Sequence, residues 1–194
     1  MVRERGTSML EMIAVISVMA VLATATWNLM GSARYRYRVS QGVSQLQSLQ
    51  KGINRFYAST GNYNKLGEEG AIQDLFENRV IPKQMKVSGN KIRNVFGKEV
   101  EIENVQYDNI DDYGKSSDSF VIIFKSLNKK ECVEMASISW LQNDNANLVS
   151  IKIGSQKFVW PKYDGEEMDL LPVTTTKAME SCASAPLDVT WEFR

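Results

Sequence analysis

No histidine occurs anywhere in the 194 residues of the chain. Without an imidazole it can build neither a Ser-His-Asp triad nor a Cys-His pair, and a His-ligated zinc site is excluded as well. Cysteine is almost as scarce. Cys132 and Cys182 are the only two, too few for zinc held by four thiolates. An excess of either charge is also missing. Lys+Arg and Asp+Glu both number 23, so no surplus of cations is available to displace the counterions of a nucleic acid. Apolar residues still make up 43% of the chain and aromatics 9%, which suffices for a packed core and excludes a disordered chain. The length fits one domain of ordinary size plus one extra element.

The extra element is at the N-terminus. Met1 to Gly6 is short and polar, with Arg3 and Arg5 flanking Glu4. From Met9 to Met30 the sequence is mostly apolar, and Glu11 is its one ionisable residue. A helix over that span is about 33 Å long, enough to cross a bilayer core. Trp27 lies near its far end, where aromatic side chains favour an interface. A plain single-pass anchor explains the apolar run but leaves Glu11 unexplained, since a carboxylate in lipid costs about 2–3 kcal/mol. A secretory signal peptide would use Ala23-Thr24-Ala25 as its cleavage site, but its apolar region would be unusually long and would contain an acid.

A third pattern accounts for the acid. A short basic leader ends at Gly6, four uncharged residues follow, and Glu11 stands fifth before about twenty mostly apolar residues. In this the sequence resembles the type IV pilin family. The resemblance implies cleavage after Gly6 by a prepilin peptidase, which would also methylate the new amine on Thr7. It further implies that Glu11 pairs with the Thr7 amine of a neighbouring subunit and sets the axial register of helices in a filament. The physics agrees, because a partner cation offsets much of the cost of burying a carboxylate. The alternative is a snorkelling acid with no role. Thr7 stands where the family usually has Phe or Met. Asn28 stands where many type IVa pilins carry a kinking proline, so no proline kink is expected. Arg34, Arg36 and Arg38 follow the span, and the positive-inside rule alone would favour a cytoplasmic C-terminus. The cysteine pair wants an oxidising compartment and decides the orientation the other way.

Beyond the apolar span, Arg34 to Ser59 contains no proline, and Val39, Val43, Leu46, Ile53 and Tyr57 recur at helical spacing, with Gln50 filling one slot. Leu49 and Phe56 widen the stripe. This predicts an amphipathic continuation packed on a globular domain, giving a helix of about 80 Å in all. Gly31, Gly42 and Gly52 are either small packing residues or, at Gly31, a place where the helix bends. Thr60-Gly61-Asn62 ends it.

The rest alternates strands and short helices. Helices are predicted at Ala71–Asn78, after an Asn128 cap through Cys132 to Ile138, and at Thr174–Cys182. Strands are predicted at Glu99–Glu103, Phe120–Phe124, Leu148–Ile153, Lys157–Trp160 and Val189–Phe193, with a polar loop over Asp108–Ser119. The fold class is α+β: a long N-terminal helix, its apolar half transmembrane and its second half amphipathic, packed on a mostly antiparallel sheet with a C-terminal disulfide loop. The organisation is a leader over 1–6, a transmembrane assembly helix over 7–30, its amphipathic continuation over 31–60, and an exported globular head over 61–194.

From the residues alone, Cys132 and Cys182 are either a bridge, contributing about 4 kcal/mol by loop entropy, or two buried thiols; export would favour the bridge. The resemblance implies the bridge, since type IV pilins carry a C-terminal disulfide loop whose surface faces out. The large loop, with a helix after its first cysteine, looks most like the type IVb subclass of toxin-coregulated, bundle-forming and conjugative thin pili. Other clusters are weaker. Glu99, Glu101 and Glu103 share a strand face, which suits a cation site less well than a solvated face. Asp108, Asn109, Asp111 and Asp112 lack the EF-hand order, so loop solvation is preferred to calcium. Arg34-Tyr35-Arg36-Tyr37-Arg38 suits headgroup contact or subunit packing better than nucleic acid.

No catalytic motif, cofactor site or metal site is expected. The implied function is a structural subunit of a type IV pilus. It is held in the inner membrane as a single-pass protein before assembly, then polymerised with identical subunits by the inner-membrane machinery into an extracellular filament for adhesion, aggregation or conjugation. The alternatives are a pseudopilin of a type II secretion system, or a secreted binding domain with its signal cleaved after Ala25. Intact mass of the mature protein separates these. Loss of Met1–Gly6 with gain of one methyl, leaving 21 basic and 22 acidic side chains, is expected; loss through Ala25 would identify the secreted domain instead.

Overall fold

The computed structural model of the chain describes residues 9–59, 61–87, 89, 91–107, 116–138, 147–159 and 169–194. They fall into two compact units, Met1–Arg38 and Val39–Arg194.

Helix α1 spans Met9–Tyr57, as the proline-free sequence predicts. In the first unit the large apolar side chains from Met9 to Leu22 stand in solvent. Among the described residues no helix is long and apolar enough to cross a membrane. The expected transmembrane character of residues 7–30, and the single-pass inner-membrane stage drawn from it, therefore find no support in the described residues.

In the second unit the helical stripe is where periodicity puts it. Leu46, Leu49 and Ile53 are fully buried and Tyr57 nearly so, and Gln50 is buried in the slot it fills. Two glycines let other chain segments approach closely. A Cβ at Gly42 would sit 3.1 Å from the Phe96 ring and 3.2 Å from the Met135 sulfur; at Gly52 it would sit 3.0 Å from the Val80 Cγ1 and 3.1 Å from the Val80 carbonyl oxygen. These are packing positions. Gly31 has nothing within 4 Å of such a Cβ, and α1 runs through it as helix.

Helix α2 (Ala71–Glu77) and strands β1 (Lys86–Val87) and β2 (Lys91–Arg93) lead into β3 (Glu99–Tyr107) and β4 (Ser116–Leu127). Helix α3 (Lys129–Ala136), strands β5 (Leu148–Ile153), β6 (Gln156–Val159) and β7 (Asp169–Leu170), helix α4 (Thr175–Ser181) and strand β8 (Leu187–Phe193) complete the order. The sheet runs β1-β2-β3-β4-β8-β5-β6-β7. Its neighbours are antiparallel except β6 and β7, which are parallel. The C-terminal strand β8 is thus central, paired with β4 on one side and β5 on the other.

Alternation explains the two faces of the sheet. Phe120, Ile122 and Phe124 of β4 point to the core together with Val189, Trp191 and Phe193 of β8, and all six are fully buried. Val121 and Ile123 occupy the opposite face and are half-buried, which is why the run reads as continuously apolar. Burial of each large side chain contributes about 1.5–3 kcal/mol. Aromatic contacts run from Phe56 through Tyr57, Tyr63 and Phe120 to Phe193.

Two boundaries differ from expectation. Ser116–Ser119 is strand, not loop, because β3 extends to Tyr107 and its ladder pairs Val105 with Ser119 and Tyr107 with Ser116. Ile138 lies past the end of α3 at Ala136. Asp108, Asn109, Asp111, Asp112 and Trp160 are outside the described residues.

The close approach at Gly52 is testable. Gly52→Leu puts atoms where a backbone carbonyl cannot retreat, and overpacking of this kind costs about 1–3 kcal/mol. Thermal unfolding of the variant should shift down by several degrees. An unchanged midpoint would mean that α1 and Val80 are not packed as described.

Candidate functional site

Chemistry in this chain is concentrated at three places: the disulfide, the outward face of the sheet, and the exposed length of α1. The disulfide starts from a helix cap. The side chain of Asn128 accepts a hydrogen bond from the Glu131 N–H at 3.0 Å, and Glu131 accepts one from the Asn128 N–H at 3.0 Å. This reciprocal cap starts α3 directly after β4 and turns Cys132, Met135 and Ala136 inward. Thr174 caps α4, and Cys182 stands at its C-terminal end with its N–H donated to the Ala178 carbonyl. Cys132 and Cys182 are joined, with S–S 2.06 Å and Cα–Cα 6.0 Å, across 50 positions of sequence. Both are fully buried. The bond ties the segment holding β5, β6, β7 and α4 to the helix that follows β4 and, by loop entropy, contributes about 4 kcal/mol.

The outward face of the sheet is a lattice of charges. Lys125 Nζ lies 2.7 Å from Glu101 and 3.4 Å from Asp188. Its hydrogen bond to Glu101, with the charges of Glu101 and Asp188, holds the ammonium above its ordinary pKa against the cost of desolvation. Asp188 also accepts the Ser126 N–H at 2.8 Å. Ser126 has φ 50°, at the register shift where β4 bulges against β8. Lys91 faces Glu99 at 3.8 Å, and Glu103 is exposed. The three glutamates of β3 thus form a solvated strand face. A shallow cavity of about 200 Å³ is lined by one of them, Glu99, together with Lys91, Arg93, Lys98 and Lys125. Among the described residues no three His, Cys, Asp or Glu side chains converge to hold a metal ion.

One group escaped the sequence. Glu192 is 4% exposed, yet it lies on the face opposite the core. Ser119 Oγ donates to its Oε1 at 3.2 Å, Ser150 Oγ to its Oε2 at 2.7 Å, and Lys157 Nζ to Oε2 at 3.2 Å. Three donors from β4, β5 and β6 thus compensate a carboxylate whose burial would otherwise be costly. The alternation of β8 gives its outward direction. Its partners, however, come from positions 73 and 42 residues away, and no local pattern announces them.

Glu11 is exposed on α1, surrounded by exposed Met9, Leu10, Met12 and Ile13. Gly6 and Thr7 lie outside the described residues. The structure brings Cys132 and Cys182 together in the second unit, and Glu11 belongs to the first.

A helix whose buried stripe underlies a mostly antiparallel sheet, with a disulfide closing the last segment, is the α+β arrangement expected; the central place of β8 was not foreseen. The family model described as PilS N terminal matches residues 36–191, and the chain belongs to that family, a type IV pilin family. The resemblance read from the first sixty residues is thereby borne out. Among solved structures, the chain is similar to TcpA, a type IV pilin from Vibrio cholerae El Tor biotype, at 18% identity and TM-score 0.46, over 81% of this chain and 98% of that one. It is also similar to the type IV b pilin from Salmonella typhi, at 16% identity and TM-score 0.47, over 78% of this chain and 97% of that one. No curated protein matches the sequence.

Cys132→Ser should cost about 2–5 kcal/mol and make the segment after α3 the first to be cut by protease. Resistance equal to that of the parent chain would contradict a stabilising bridge.

Proposed function

We propose that the chain is the repeating subunit of a type IV pilus, with no catalytic role of its own. The observation that carries this is the apolar surface of α1. Met9 is 82% exposed, Leu10 78%, Val21 68% and Met19 66%, and their neighbours on every side of the helix are similar. A contiguous apolar surface of this size marks an interaction site. Bundling with identical helices of other copies removes it from water, and each side chain buried adds about 1.5–3 kcal/mol. Repetition of one such contact is heterologous and does not close, so it builds a helical fibre.

Glu11 fixes the register of that bundle. Cleavage after Gly6 by a prepilin peptidase gives Thr7 a free amine. Methylation leaves the amine cationic, and the Glu11 of a neighbouring copy takes it as a partner. Inside a packed apolar bundle neither charge is tolerable alone. The pilus assembly machinery supplies the copies, the mature filament is extracellular, and it serves adhesion, aggregation or conjugation. The disulfide-closed C-terminal segment supports a pilin over a pseudopilin, since major pseudopilins usually lack that loop.

Glu11→Ala tests the pairing. Breaking one partner of a buried ion pair costs about 3–5 kcal/mol, so assembly should weaken more than a hundredfold while the chain stays folded by circular dichroism. Filaments of normal number and length from the variant would overturn the pairing.

A further inference from the structure

The zero net charge conceals a segregation along the chain. From Met12 to Gly67 there is no acidic residue. Residues 12–60 carry five cations, Arg34, Arg36, Arg38, Lys51 and Arg55. Residues 61–194 carry sixteen basic and twenty-one acidic residues, so the two stretches have equal and opposite excess charge.

The cations of α1 are concentrated where they have no counterpart. Arg34, Arg36 and Arg38 are exposed. Arg34 and Arg38 share one side of the helix, and Arg36 lies nearly opposite, so the positive charge rings it. No acid stands three or four residues away on either side to neutralise them. Among the described residues none of the three takes part in an ion pair. In a bundle of parallel copies these rings would repel one another unless carboxylates from elsewhere reach them.

The same chain presents such carboxylates. Glu68, Glu69, Asp74 and Glu77 fall within ten residues around α2, and all four are exposed. Among the described residues none of them is in an ion pair. Their charge is felt at the Tyr57 hydroxyl, held above its ordinary pKa by burial first and then by Asp74 and Glu68.

We propose that Arg34, Arg36 and Arg38 of one copy dock on the acidic surface around α2 of a second copy. This rests on the pilus reading above and names the polar half of the contact whose apolar half is α1. Each copy carries one patch of each sign, so the contact is heterologous and repeats along a fibre. It selects orientation as well as strength, because a copy packed the wrong way sets arginines against arginines.

The test uses the chain cleaved after Gly6 and assembled from detergent solution, with filaments measured by sedimentation and electron microscopy. Arg34→Glu, Arg36→Glu and Arg38→Glu together should lower filament mass about tenfold or more, and so should Glu68→Lys, Glu69→Lys and Glu77→Lys together. Combining the two sets should restore filaments to near the parent level. Parent filaments should decline as salt rises to about 0.5 M, since screening shortens the reach of exposed charges. All the substituted side chains are exposed, and unchanged thermal unfolding confirms that each variant folds. The inference is overturned if the arginine reversal assembles like the parent, or if the combined variant stays as defective as either set. It is also overturned if the arginine reversal loses only binding to vesicles of anionic phospholipid, which would give the arginines to a membrane surface. A parent chain that forms no filaments sinks the pilus reading itself, whereas a parent and a reversed variant that assemble alike sink only this docking.

Discussion

Apolar surface must leave water, and α1 meets that constraint in two different ways along one continuous helix. From Leu46 to Tyr57 the chain supplies its own cover, a sheet whose inner face presents Phe120, Ile122, Phe124, Trp191 and Phe193. From Met9 to Leu22 the large apolar side chains stand in solvent. The same helical geometry that makes the first stretch a core leaves the second exposed as an apolar surface. On the pilus reading proposed above, its single ionisable group, Glu11, gives that surface a register. A bundle could slide along purely apolar helices at little cost, but a carboxylate carried into it has to find its cation.

The sheet that covers α1 has its own dependence. Its central strand β8 is the last in the chain, so the centre of the sheet closes only when the terminus is in place. Three devices hold it there. Trp191 and Phe193 are buried beside Phe120 and Phe124. Glu192 gathers hydrogen bonds from β4, β5 and β6. The Cys132–Cys182 bond fixes the segment just before β8 to the helix that follows β4. A strand anchored in this way stays attached under conditions in which an unbridged one would fray.

Periodicity in the residues foretold the elements that depend on near neighbours. The stripe of α1, the alternation of β3 and β8, the apolar run of β4 and the Asn128 cap were all readable, because each is a local pattern imposed by one period or one cap. Strand order was not. Nothing in Val189–Phe193 says that it inserts between β4 and β5, since that register is set by partners 36 to 73 positions away. β1 and β2 have two and three residues, too short for any period to show. Ser116–Ser119 became strand through its ladder to β3 despite a polar, turn-like composition. The burial of Glu192 was not legible because it is created by serines of other strands. Pairing of the two cysteines came from family resemblance, as two positions alone do not distinguish a bridge from two thiols. The expected membrane span finds no support among the described residues.

Burial of the α1 surface by other copies can be watched directly through its methionines. Met9, Met12 and Met19 are 82%, 58% and 66% exposed, and Met179, in the other unit, is 53% exposed and serves as an internal reference. Thioether oxidation follows exposure, so graded peroxide treatment with mass-spectrometric readout compares the free chain with the filament. If α1 is the shared core of a fibre, Met9, Met12 and Met19 lose most of their reactivity on assembly relative to Met179. Equal relative rates in the free chain and in the filament would contradict it.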